Sequence, residues 1–278
     1  MPIQSFEELT AHLKKRSVTK RVAVVCPNDP STRQALATAE HEGFVSPLLF
    51  HAENPAEAAR QAVDAVRHGE ADILMKGFVN TDVLLHAILN KETGILHKGR
   101  VMTHIAVAQL PNYHKLLLFT DAAVIPYPSN EQRVAQVAYV AHLCHHMGIG
   151  EPRLSLIHCS EKVDAKHFPY TVGYGQIKEM AAQGAFGPCI VDGPLDLKTS
   201  CSPQSMAAKH ITSPIAGDAD ALVFPDIEAG NLFYKTITLF CQACTAGVLQ
   251  GTDVPIVLPS RGDSVESKYL SLCLACLL

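Results

Sequence analysis

Short apolar runs recur along the chain, each closed by a polar residue and followed by a stretch with helical spacing. Arg21 to Cys26, Val45 to Phe50, Ala71 to Met75, Leu116 to Phe119, Arg153 to Cys159, Cys189 to Asp192, Ala221 to Phe224 and Pro255 to Leu258 read as strands. Between several of them, Asp29-Pro30-Ser31, Asn54-Pro55 and Ser129-Asn130-Glu131 carry the oxygen cap, the early proline or the first-turn acid that opens a helix. Gly43, Gly69, Gly148 and Gly184 stand where helices would stop. Strands alternating with helices of this length predict an α/β protein with mainly parallel sheets.

In an open parallel sheet, residues just past the carboxyl ends of the strands face one crevice, the usual place for a ligand. The polar closers here are Lys76-Gly77, Thr120-Asp121, Pro225-Asp226-Ile227-Glu228-Ala229-Gly230-Asn231 and Ser260-Arg261-Gly262-Asp263-Ser264. The last is read as the start of the final helix. There the unpaired amides, two hydroxyls and a guanidinium would converge on a phosphate-like anion. Taken alone, Arg261 reads equally well as a surface cation beside a helix cap; the other strand ends favour the anion site.

Composition narrows the picture. The 278 residues are 47% apolar, enough for sizeable cores in one large or two ordinary domains. A net charge of −4 argues against general attraction to nucleic acid or membrane surfaces. The amino end lacks the pattern of a secretion signal, and no apolar run reaches membrane length, so a cytoplasmic protein is expected. The nine cysteines are an odd number scattered through apolar runs, which predicts reduced thiols. Cys241/Cys244 and Cys273/Cys276 have zinc-like spacing, but both pairs read as lying in continuous helix and are taken as core. His142 and His146 share a helical face with no further ligand placed by spacing, so no metal is expected.

Three blocks carry a resemblance. Leu74-Met75-Lys76-Gly77 with Asn80-Thr81, Gly217-Asp218-Ala219-Asp220 through Asn231, and Ser260 to Ser264 resemble the phosphate acetyltransferase and butyryltransferase family, more closely its butyryl branch. Phe119 to Ala123 and Val191 to Pro194 extend the likeness. The resemblance implies reversible transfer of a short acyl group between phosphate and the thiol of coenzyme A, in a ternary complex without an acyl-enzyme. Coenzyme A, phosphate and acyl phosphate are then substrates and partners, and no cofactor is needed. It also implies two α/β/α sandwich domains of the isocitrate/isopropylmalate dehydrogenase type, with the active cleft between them, and a homodimer. Residues 1–95 plus 258–278 would form one domain and residues 96–257 the other.

On this resemblance Ser260 and Arg261 stabilise phosphate and the transition state, and Lys76, Asn80 and Thr81 form the facing wall. His86, Gly262, Ser264, Asp226, Glu228 and Asn231 are further substrate contacts, although the acidic block reads equally as a helix start. Two departures stand out. The acetyl branch places an aspartate, its proposed thiol base, six residues after the motif arginine; here Ser267 stands there, and a serine cannot do that work. His86 replaces the arginine that follows the lysine block. A binding protein that kept the phosphate site without turnover is therefore the alternative from another class, with a metal-dependent dehydrogenase of similar fold behind it.

Overall fold

The computed structural model describes residues 2–278. In chain order the first elements are α1 (Phe6–Arg16), β1 (Lys20–Val25), α2 (Pro30–His41), β2 (Val45–Phe50), α3 (Pro55–Arg67), β3 (Ile73–Lys76) and α4 (Thr81–Ile88). There follow β4 (Thr103–Gln109), β5 (Leu117–Thr120), α5 (Asn130–His146), β6 (Arg153–Ile157), α6 (Tyr170–Ala182), β7 (Ile190–Leu195), α7 (Leu197–Cys201) and α8 (Pro203–Ala208). The chain ends with β8 (Ala221–Val223), α9 (Ile227–Phe240), β9 (Cys244–Gln250), β10 (Ile256–Val257) and α10 (Val265–Ala275).

Two compact units result. A terminal unit joins Ser5–Met102 to Cys244–Leu278, and a central unit is built on Thr103–Ala243. The expected limits were 95 and 258. The terminal unit reaches back to Cys244 because β9 pairs antiparallel with β10, and α10 packs on β9 as well as on α2. Its strands run in the order β2-β1-β3-β10-β9, parallel up to the last pair. The central unit has the order β4-β5-β8-β6-β7, parallel except for β4 with β5. All four residues of β3 and of β5 are buried, as expected of strands covered on both faces.

The predicted punctuation has a physical counterpart at each site. Asp29, Asn54 and Ser129 accept backbone N–H groups at the starts of α2, α3 and α5, and Ser129 closes a capping box with Gln132. Gly43, Gly69, Gly148 and Gly184 all take positive φ just past a helix end. Three readings need correction. β4 and β9 were passed over, because Thr103-His104 and Gly247 with small alanines dilute the alternation that marks a strand. Cys241 and Cys244 do not share a helix: α9 stops at Phe240, Gln242 turns the chain at φ 52°, and Cys244 opens β9. The final helix begins at Val265 with Ser264 as its cap, four residues beyond Arg261, so Ser260 and Arg261 lie in a turn before it.

α10 and α2 are joined by a buried ion pair. Lys268, 3% exposed, donates to Asp29 Oδ1 at 2.9 Å, Ser31 Oγ at 2.7 Å and Thr32 Oγ1 at 3.1 Å. Asp29 also accepts the Thr32 amide as the cap of α2. Burial alone would raise the Asp29 pKa, but hydrogen bonds from Ser31, Lys268 and Thr32 outweigh it and hold the carboxyl well below the usual carboxylate range. A depressed folded value contributes stability that is complete above the unfolded value of about 4 and is lost as pH falls toward the folded one. Asp29→Asn is therefore expected to lower the urea midpoint at pH 7 and to flatten its decline between pH 6 and pH 3; a wild-type decline retained in full would contradict this role.

Candidate active site

Lys76 ends β3, and the turn that follows is pressed against the end of β1. Gly77 N–H donates to Val25 O at 2.8 Å and Phe78 N–H to Cys26 O at 2.7 Å. A Cβ on Gly77 would lie 2.5 Å from both of those carbonyl oxygens, so only glycine allows this approach. The turn then presents Phe78, 52% exposed, and Asn80. Asn80 stands at the cap position of α4, yet its side chain makes no capping bond. It accepts instead a hydrogen bond from Arg261 Nη2 at 2.5 Å, and the Arg261 guanidinium lies 5.1 Å from the Phe78 ring centroid.

The two motifs that sequence reading set in separate blocks therefore meet within the terminal unit. Lys76 is 3% exposed, and its Nζ donates to Gly77 O at 3.4 Å and Val79 O at 3.3 Å. Burial lowers its pKa, and the positive charges of Lys268 and Arg261 lower it further, against smaller opposing effects of Asp29 and Asp263. In the turn before α10, Asp263 accepts the Ser260 amide at 2.7 Å, and Ser264 accepts the Ser267 amide at 3.0 Å. Those groups stabilise the turn itself, which leaves the exposed Arg261 and Ser260 side chains as its outward chemistry. Gly262 is exposed with open space around its Cβ position. Thr81 and His86 are exposed on α4. A pocket of about 360 Å³ beside α2 and β2, lined by Pro27, Arg33, Leu36, Pro47, Leu49 and His51 among others, takes in none of these residues.

Asp226, Glu228 and Asn231 belong to the central unit, at the head of α9. Asp226 caps the helix through the Ala229 amide at 2.8 Å, Glu228 accepts from Tyr127 Oη at 3.2 Å, and Asn231 donates to Ala122 O at 2.9 Å. Gly230 permits the carbonyl of Asp121 to approach; a Cβ would sit 2.1 Å away. Asp121 is buried and accepts Thr103 Oγ1 and the amides of His104, Ala123, Val124 and Ile125, which makes it the organiser of its loop. Asp218 and Asp220 pair with Lys115, and Asp218 also with Arg153. Arg133, 2% exposed, donates to Pro225 O at 2.8 Å between the rings of Tyr170 and Tyr174. Among the described residues no cluster of three or more His, Cys, Asp or Glu could hold a metal ion.

Sequence reasoning missed Phe78, Lys268 and Asp29 as members of the Lys76 surroundings. Lys268 lies four residues past the Ser260 to Ser264 block, and Asp29 was visible as a cap, but nothing in linear spacing joins positions so far apart.

Comparison with known proteins agrees with these motifs. Residues 12–276 match the family described as phosphate acetyl/butaryl transferase. The chain is 34% identical to the phosphate butyryltransferase of Clostridium acetobutylicum, with 99% of this chain and 98% of that protein covered. It is 33% identical to the phosphate acetyltransferase of Thermotoga maritima over 94% of this chain and 95% of that one. Among solved structures, a branched-chain phosphotransacylase from Enterococcus faecalis superposes with a TM-score of 0.83 at 31% identity, covering 93% of this chain and 98% of that one.

The turn geometry separates two substitutions. Gly77→Ala is expected to destabilise the protein by about 2 kcal/mol or more through the clash with β1, whereas Asn80→Ala, which loses no capping bond, should cost under about 0.5 kcal/mol. Urea unfolding of the two variants checks the order; equal losses would refute the geometry.

Proposed function

Because the chain belongs to the phosphate acetyl/butaryl transferase family, we propose that it is a phosphate acyltransferase of the butyryltransferase kind, moving a short straight or branched acyl group between phosphate and coenzyme A. The thiol sulfur attacks the acyl carbon of the acyl phosphate, the C–S bond forms, the C–O bond to phosphate breaks, and phosphate leaves with the electron pair. The reverse reaction retraces these steps. Such a transfer needs the two substrates held within reach of each other, and positive charge where the tetrahedral oxyanion and the leaving phosphate gather negative charge.

The observation that carries this reading is the Arg261–Asn80 hydrogen bond, with the guanidinium lying over Phe78, beside the Lys76 turn. A guanidinium already held by one hydrogen bond and one ring gives up little freedom when it meets a phosphate. In this reading Arg261 and Ser260 bind the phosphoryl oxygens, Asn80 aims Arg261, and Thr81, His86, Gly262 and Ser264 border the bound substrates. Asp226, Glu228 and Asn231 contribute by holding the loop at the head of α9. Coenzyme A is a substrate, and no further cofactor takes part. The finer architecture belongs to the same reading: two α/β/α sandwiches of the isocitrate/isopropylmalate dehydrogenase type, in a homodimer acting in the cytoplasm. Among the described residues no helix is long and apolar enough to cross a membrane.

Purified protein incubated with phosphate and acetyl-, propionyl-, butyryl- or isobutyryl-coenzyme A is expected to release free thiol, fastest with a four-carbon or branched chain. Arg261→Ala should lower kcat/KM by about 100-fold or more with the fold unchanged by circular dichroism. Failure of the wild type with every acyl donor, alongside measurable coenzyme A binding, would favour a binding protein instead.

A further inference from the structure

A thiol with an ordinary pKa of about 8.5 is mostly protonated at neutral pH, so an acceptor for its proton speeds attack. Of the neighbouring groups, Ser267, Glu266, Asp263 and Asp29 already have partners. Ser267, in the position a base would occupy, donates its hydroxyl to Thr245 O at 2.8 Å. Glu266 is exposed, with its carboxylate 3.9 Å from Cys244 Sγ on β9. Asp263 accepts the Ser260 amide, and Asp29 is paired with Lys268. His86 is on the exposed side of α4.

Lys76 is different. It is 97% buried by its 3% exposure, and among the described residues no carboxylate forms an ion pair with it. Among the described residues its hydrogen-bond partners are two carbonyls, Gly77 O and Val79 O. A free amine has two N–H donors and one lone pair; an ammonium has three donors and none. The two carbonyls match the two N–H donors of the amine. The charged groups that bear on it are Lys268 on α10, Arg261 and Asp263 in the turn before α10, and Asp29 in the loop after β1. The two cations act against a third positive charge more strongly than the two carboxylates favour one.

We propose that Lys76, as the free amine, is the general base that takes the proton of the attacking thiol. This rests on the acyltransferase reading and extends it. The S–H proton passes to Nζ while the C–S bond forms and the C–O bond to phosphate breaks. In reverse, the Lys76 ammonium returns that proton to sulfur as the thioester C–S bond breaks.

The test is the pH profile of kcat/KM with butyryl phosphate and coenzyme A, for the wild type, Lys76→Arg, Lys76→Ala and Lys268→Gln. Arginine keeps the charge but stays protonated, so Lys76→Arg should fall about 100-fold or more and lose the limb that rises with pH. Added methylamine or ethylamine should restore Lys76→Ala in proportion to the free-base concentration. Lys268→Gln removes a neighbouring cation and frees Asp29, both of which favour the Lys76 ammonium, so the same limb should move to higher pH. If Lys76→Ala fails to fold, the arginine and Lys268 profiles decide. Lys76→Arg within threefold of the wild type with an unchanged profile, or a Lys268→Gln profile that does not move, would overturn the proposal. A wild type inactive with every acyl substrate would instead overturn the acyltransferase reading itself.

Discussion

The contact on which the terminal unit's chemistry depends is the seating of the β3 turn on the end of β1. Two backbone hydrogen bonds, Gly77 to Val25 and Phe78 to Cys26, are made at a separation that excludes any side chain at position 77. They set where Lys76 is buried and where Phe78 and Asn80 emerge. Arg261 then finds a ring and an amide oxygen already in place, although it is remote in sequence. Moving this turn would displace both cations at once.

Electrostatics explains how such a cluster persists in a folded protein. Two cations, Lys268 and Arg261, bear on Lys76, with Asp29 and Asp263 opposing them. Lys268 has its charge matched by Asp29 and by two hydroxyls, the full set of acceptors for its three donors. Arg261 is exposed and keeps its hydration. Lys76 has neither remedy, and burying an unpaired ammonium is costly unless the group neutralises. The same logic separates structural from chemical charge in the central unit, where Asp218 and Asp220 are matched by Lys115 and Arg153 while Asp121 spends its carboxylate on its own loop.

Much of the fold was legible along the chain. Caps at Asp29, Asn54 and Ser129 and stops at Gly43, Gly69, Gly148 and Gly184 are local events, decided by a side-chain oxygen or a missing Cβ within a few residues. β4 and β9 were not legible, since their alanines, glycine and threonine take strand form through pairing and burial more than through their own preference. The start of α10 was misplaced for a related reason. Ser260 looks like a cap in sequence, but its amide is taken by Asp263, and Ser264 makes the capping bond.

The amino-acid order by itself determined the α/β class, most of the strands, the helix boundaries marked by caps and glycines, and the motifs that identify the family. These depend on interactions between residues close in the chain. Only the tertiary structure decided that Asn80 gives up capping to hold Arg261, that Lys268 reaches Asp29, and that Lys76 is buried without a counterion. Each joins segments far apart in sequence, and the energy of a charge depends on which neighbours and how much water folding leaves beside it.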